Sequence, residues 1–92
     1  MHIILTDRFQ RDLKSIPTDT LGTVLEMLLR LPSALIDLHR HAGLGVRKIH
    51  QSGIFEARVG LKLRIIIGVR EGSMSIERLG THDEVQRYLK SL

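Results

Sequence analysis

The chain has no cysteine and no tryptophan, and only one tyrosine, two phenylalanines and two prolines among its 92 residues. Without cysteine it can form no disulfide, no thiolate zinc site and no cysteine nucleophile, and a reducing cytoplasm is the natural compartment. With so few aromatics the chain has little to stack bases on by itself, and its core must be built from Leu, Ile and Val. Long apolar runs are missing as well. The start, Met1 to Asp7, has no basic segment, and its apolar stretch is too short for a signal peptide. The apolar-rich span 21–38 is interrupted by Glu26, Arg30, Pro32 and Asp37, which rules against a membrane helix. A cytoplasmic protein without a membrane partner is expected.

What is present suits a globular chain. The hydrophobic fraction is 42% and the net charge is +4. At this length residues 1–92 form one domain, since two useful cores would not fit. The positive balance favours acidic or polyanionic partners.

The apolar pattern changes period part-way along. Residues 2–5 read as a short strand. Thr6 or Asp7 can cap a helix in which Phe9, Leu13 and Ile16 recur at helical spacing until Pro17. Thr18 can cap a second helix with the stripe Leu21, Val24, Leu25, Leu28 and Leu31, ending before Pro32. The two helices suggest an antiparallel hairpin. Residues 32–45 are ambiguous between a helical turn and a loop. His39 and His41, an i, i+2 pair without nearby carboxylates, make a weak metal signal.

From Val46 onward apolar residues alternate. Ile49, then Phe55, Ala57 and Val59, then Leu63, Ile65, Ile67 and Val69 line one face of three strands, leaving Lys48, His50, Glu56, Arg58 and Arg64 on the other. A three-residue connection Gly60-Leu61-Lys62 sets Arg58 directly opposite Arg64. Two like charges so placed are unfavourable unless an anion or a carboxylate lies between them, and Glu56 is a candidate carboxylate. A last strand over 74–80 leads to Thr81-His82-Asp83-Glu84, a capping box that opens a helix with Val85, Tyr88, Leu89 and Leu92 on its apolar side. The order is β-α-α-β-β-β-β-α.

Lys48-Ile49-His50 leading into Phe55-Glu56-Ala57-Arg58-Val59, then Leu63-Arg64-Ile65-Ile66, and the ending Gly80-Thr81-His82 with Tyr88 nearby together resemble the RelE/ParE superfamily of small bacterial toxins. Within it the chain is most similar to the ribosome-dependent mRNA endonucleases of the RelE, YoeB and YafQ kind. The resemblance spans essentially the whole chain. It implies a small α+β fold: a twisted, mainly antiparallel sheet with the N-terminal helical hairpin on one face, a short C-terminal helix, and an active surface on the other face. It also implies that Arg58 and Arg64 clamp the scissile phosphate, that Lys48 adds a cation, and that His82 moves a proton. His50, Lys62 and Tyr88 join the substrate-binding set. No metal or other cofactor is implied. The partners implied are a cognate antitoxin, the ribosome and mRNA. Some relatives carry a glutamate base just before the second strand. Leu44-Gly45-Val46 has no carboxylate, which leaves His82 or His50 as the base.

That chemistry suits the side chains. RNA breaks when its own 2′-hydroxyl attacks the adjacent phosphate, so a nuclease need only align the groups, move two protons and stabilise the added charge. Arginine offers a fixed fork of donors that keeps its proton. Two other functions stay open: a ParE-like toxin that inhibits DNA gyrase without cutting RNA, and a catalytically silent interaction module of the same fold.

Overall fold

The computed structural model describes residues 2–36 and 45–92. The His39/His41 pair lies outside them. The elements are β1 (His2–Leu5), α1 (Asp7–Leu13), α2 (Thr18–Ile36), β2 (Arg47–His50), β3 (Ile54–Val59), β4 (Leu63–Arg70), β5 (Ser73–Thr81) and α3 (His82–Lys90). The five strands make one sheet in the order β1-β5-β4-β3-β2. β1 runs parallel to β5 and every other pair is antiparallel. The expected α+β class and element order are what the chain adopts. No helix among the described residues is long and apolar enough to cross a membrane.

One face of the sheet carries the main core. Ala57, Val59, Ile65, Ile67, Met74, Ile76 and Leu79 pack there with Phe9 of α1 and Val24, Leu31 and Ala34 of α2. Alternation explains the strand residues, and the inward stripe of α2 is Val24, Met27, Leu28, Leu31, Ala34 and Leu35, a helical repeat of three and four. The sequence stripe included Leu25, but Leu25 is 47% exposed. It sits about 100° round the helix from Val24, which turns it away from the sheet.

Both helices depart from the sequence reading at their ends. α1 stops at Leu13 with Lys14 as its C-cap, short of Pro17. α2 starts at Thr18 itself, with Leu21 N donating to the carbonyl of Pro17. It then runs through Pro32 to Ile36. Proline removes one intrahelical bond and bends the helix. Burial of Leu31 and Ala34 on either side of it, with Leu35 partly buried, holds the helix against the core. Rather than pairing off as a free-standing hairpin, α1 lies mainly on β5 and α2 on β3.

α1 also protects an open sheet edge. β1 ends opposite Ile76, so on that edge β5 has no strand neighbour beyond this point among the described residues. Thr6 Oγ1 donates to the carbonyl of Ile76 (2.9 Å) and accepts from Phe9 N as the N-cap. Asp12 Oδ2 accepts from Leu79 N (2.9 Å) and from Arg78 Nε (2.9 Å). These bonds satisfy backbone groups that would otherwise be left unpaired.

Two bulges decide which side chains reach the opposite face. In β5 the register slips so that Ile66 pairs with Arg78 and Ile67 with Ile76, leaving Glu77 as the extra residue. Arg78 is thereby turned to the outer face and Leu79 to the core. In β2 the slip falls at Ile49, so Arg47 pairs with Glu56 but Lys48 pairs with Phe55. A bulge changes the parity of everything on one side of it. Lys48 therefore lies on the helix-covered face, not beside Arg58 as alternation from His50 suggested.

Candidate active site

The outer face carries two rows of interest. In the first, cross-strand pairing aligns Arg58 with Arg64, and Arg64 in turn with Gly80 of β5. This row lies one residue in from the β3–β4 turn, where Lys62 is exposed. Thr81, the next residue of β5, pairs with Leu63, and His82 follows as the first residue of α3. Arg58, Arg64, Lys62 and His82 are thus brought to one end of the sheet. Glycines flank the arginines. Gly45 has φ of +67°, and a Cβ there would lie 3.0 Å from Cγ and Cδ of Arg58, so the arginine stem rests on bare backbone. A Cβ on Gly80 would lie 3.1 Å from that of Glu84. Substituting either glycine crowds the row.

The two arginines are direct cross-strand partners. Among the described residues the ion pairs are Arg47–Glu56 and Arg78–Asp12, and neither contains Arg58 or Arg64. Arg64 Nη1 donates to the carbonyl of Leu63 (2.9 Å), which fixes the start of its guanidinium. Arg58 is exposed. Glu56 does not sit between them as the sequence allowed. It is buried, 3% exposed, and its Oε1 accepts from Arg47 Nε at 2.8 Å. Like charges at directly paired positions are mutually unfavourable.

The second row is Arg47, Glu56, Ile66 and Arg78. Ile66 is fully buried, and Val85 is 2% exposed. Both border a small cleft with Arg78, Gly80 and Tyr88, which shows how α3 seals this part of the outer face. Tyr88 belongs to this second row and not to the arginine pair. Burial first, and then the charge of Glu77, push its phenol above the ordinary value.

α3 is aimed by its start. Thr81 Oγ1 accepts from Glu84 N (3.3 Å) and Glu84 Oε1 accepts from Thr81 N (3.1 Å), the capping box read from the sequence. The hydrogen bonds from the Thr81 backbone and side chain hold the Glu84 carboxyl below its usual range. His82 is exposed on the first turn. The other histidine candidate is elsewhere. His50 pairs with Ile54, four residues along β3 from Arg58, or about 13 Å at the usual strand rise. Its Nδ1 is engaged by Ser52, with Oγ at 2.6 Å and the backbone N at 3.1 Å.

Sequence reasoning missed Arg47 and Arg78 as outer-face cations and the burial of Glu56. The signal was there as broken alternation. Val46 to Ile49, and Ile76 to Leu79, are each three residues apart, which is the mark of one inserted residue.

No family model matches this sequence, and no curated protein matches it. Solved structures do. The RelB–RelE antitoxin–toxin complex of Methanococcus jannaschii contains a chain that superposes with a TM-score of 0.71 at 21% identity, covering 92% of this chain and 96% of that one. The DinJ–YafQ toxin–antitoxin complex of E. coli gives 0.72 at 18% identity, covering 90% and 93%. The archaeal RelE–RelB complex of Pyrococcus horikoshii gives 0.70 at 20% identity, covering 87% and 92%. The chain has the fold of the RelE-type toxins. Coverage this complete means that the RelE-like fold accounts for nearly the whole chain.

Proposed function

We propose that this RelE-fold chain is the toxin of a type II toxin–antitoxin system and a metal-independent endoribonuclease that cuts mRNA on the ribosome. The observation that carries the reading is the Arg58–Arg64 pair, which has no ion-pair partner among the described residues, with His82 at the same end of the sheet. Two cross-strand arginines with no carboxylate partner among the described residues suit a phosphodiester, whose charge grows as the 2′-hydroxyl attacks. In this reading Arg58 and Arg64 hold the non-bridging oxygens. His82 takes the proton from the 2′-hydroxyl or returns one to the leaving 5′-oxygen, and Lys62 contacts the adjacent backbone. The bond to phosphorus forms from the 2′-oxygen as the bond to the 5′-oxygen breaks, leaving a cyclic phosphate. The ribosome supplies the alignment that a surface poor in aromatics does not.

His50 and Lys48 fit less well in the same cradle, one for distance and the other for face. Tyr88 contacts substrate only if the RNA extends over the second row. The partner of the free chain is a cognate antitoxin, as in the RelB–RelE and DinJ–YafQ complexes, and the site of action is the cytoplasm. Induced expression without antitoxin tests the reading. Growth should stop through translation with cleaved mRNA. Arrest with intact mRNA and gyrase-linked DNA breaks would establish the ParE-like function instead, and harmless expression the silent module.

A further inference from the structure

We propose that Arg47 is a second phosphate subsite, set in place by the buried carboxylate of Glu56, which takes the phosphate next to the scissile one in a single-stranded polynucleotide. The ligand class rests on the phosphodiester reading given above, and the subsite itself on the geometry of β2 and β3. Arg47 is the cross-strand partner of Glu56, and Glu56 stands two residues before Arg58 in β3. Arg47, Glu56, Arg58 and Arg64 therefore share the outer face, with Arg47 and Arg58 as diagonal neighbours about 7–8 Å apart. The stem of Arg58 lies toward the same side. A Cβ on Gly45, two residues before Arg47, would be 3.0 Å from Cγ and Cδ of Arg58. Three arginines thus form a diagonal line from β4 through β3 to β2, which successive phosphates of an extended polynucleotide can follow.

The Arg47–Glu56 pair is one-sided. Oε1 of Glu56 accepts from Nε of Arg47 at 2.8 Å, yet the Arg47 side chain is 64% exposed and that of Glu56 only 4%. Solvent meets the cation, and the carboxylate is withheld from it. Four of the five guanidinium donors have no partner among the described residues. Arg78, the other arginine of that row, differs on both counts: Asp12 accepts from its Nε (2.9 Å) and its Nη2 (3.5 Å), and its side chain is 24% exposed. A carboxylate as buried as Glu56 carries a desolvation cost that one donor offsets only in part. The pair is thus a weak fastener for a strand whose backbone already pairs with β3. It is well suited to fixing Nε, so that the remaining donors meet a phosphate with less ordering left to do. The polynucleotide then leaves the Arg58–Arg64 row toward β2. It reaches the second row at its Arg47 end, not at the Ile66 end, which is fully buried and bordered by Val85 and Tyr88 of α3.

Binding of a short single-stranded oligothymidylate, which has no 2′-hydroxyl and cannot be cut, tests the subsite apart from cleavage when fluorescence anisotropy is followed over a salt series. Arg47→Ala combined with Glu56→Leu removes one charge of each sign, so the net charge of +4 is unchanged. The double variant should still lose affinity on the order of tenfold at low salt. Its slope of log affinity against log salt should be shallower by about 0.7, the share of one phosphate contact. Glu56→Gln, whose amide oxygen still accepts from Nε, should keep the parental slope. Arg11→Ala, exposed on α1, should keep it too. In the ribosome assay, an uncharged methylphosphonate at one of the linkages beside the cut should slow the parent and slow the double variant no further. A double variant with the parental slope, an equal loss of slope in Arg11→Ala, a parent that does not bind the oligomer, or a methylphosphonate that slows both proteins equally overturns the proposal. A parent that binds as expected but does not cut mRNA refutes the nuclease reading and leaves the subsite standing.

Discussion

Replacing Arg58 by methionine should make the protein more stable while removing a proposed phosphate contact. Arg58 and Arg64 are directly paired across β3 and β4, and like charges so placed are unfavourable by up to ~1 kcal/mol. No carboxylate offsets them among the described residues, because Glu56 is committed to Arg47. Methionine keeps the apolar stem that rests on Gly45 and deletes only the charge. For a domain of this size, 1 kcal/mol moves the melting temperature by about 4–8 °C, so Arg58→Met should gain about 2–8 °C. The gain should be largest at low salt and vanish near 1 M, where the Debye length falls to about 3 Å. Inorganic phosphate should stabilise the parent and do so less for the variant. Arg64→Met should gain less, since it also loses the hydrogen bond to the Leu63 carbonyl. Thermal melts at several salt and phosphate concentrations measure all of this. If Arg58→Met melts below the parent at low salt, the arginine pair is not a repulsive one and the argument for an anion between them fails.

Three further outcomes follow from the packing and the caps. Arg47→Ala leaves a buried Glu56 carboxylate without its donor and should cost about 1.5–3 kcal/mol, toward the lower end because the Arg47 side chain is 64% exposed; Arg47→Ala with Glu56→Leu should recover most of it in denaturant melts. The depressed carboxyl of Glu84 contributes stability that is present above its ordinary value of 4.5 and is lost as pH falls through the lower folded value. Melts across acid pH should therefore show the parent ahead of Glu84→Gln near neutrality, with the gap closing below about 4.5. Val24→Ala, at a fully buried position, should cost about 2 kcal/mol or more, whereas Leu25→Ala should change stability by no more than about 0.5 kcal/mol.

The order of elements was legible because its signals are local. Thr81 and Glu84 announce the start of α3, Gly60-Leu61-Lys62 places the β3–β4 turn, and alternation from Phe55 to Val69 gives two strands and the Arg58–Arg64 register. What was not legible depends on partners distant in sequence. The bulge at Ile49 reverses Lys48 because Phe55 lies opposite it, and the bulge at Glu77 turns Arg78 outward, where Asp12 of α1 pairs with it. Pro32 stays inside α2 because Leu31 and Ala34 are buried on the sheet, a tertiary effect that outweighs the local breaker. Leu25 and Val24 are neighbours of equal apolar character. Only the orientation of the docked helix separates them.

The central claim is that the Arg58–Arg64 row and His82 form a site that breaks RNA. Cleavage of ribosome-bound mRNA by the parent, Arg64→Ala, His82→Ala and His82→Gln tests it most directly, with the melting temperature of each as the folding control. Arg64→Ala should lower the rate by on the order of a hundredfold or more, by analogy with the loss of one oxyanion donor. His82→Ala should also slow cleavage, and His82→Gln should not restore it, because glutamine keeps size and polarity without proton transfer. All three should fold. Variants that fold as the parent does and cut at the parental rate would contradict the account and leave the basic face as a docking surface.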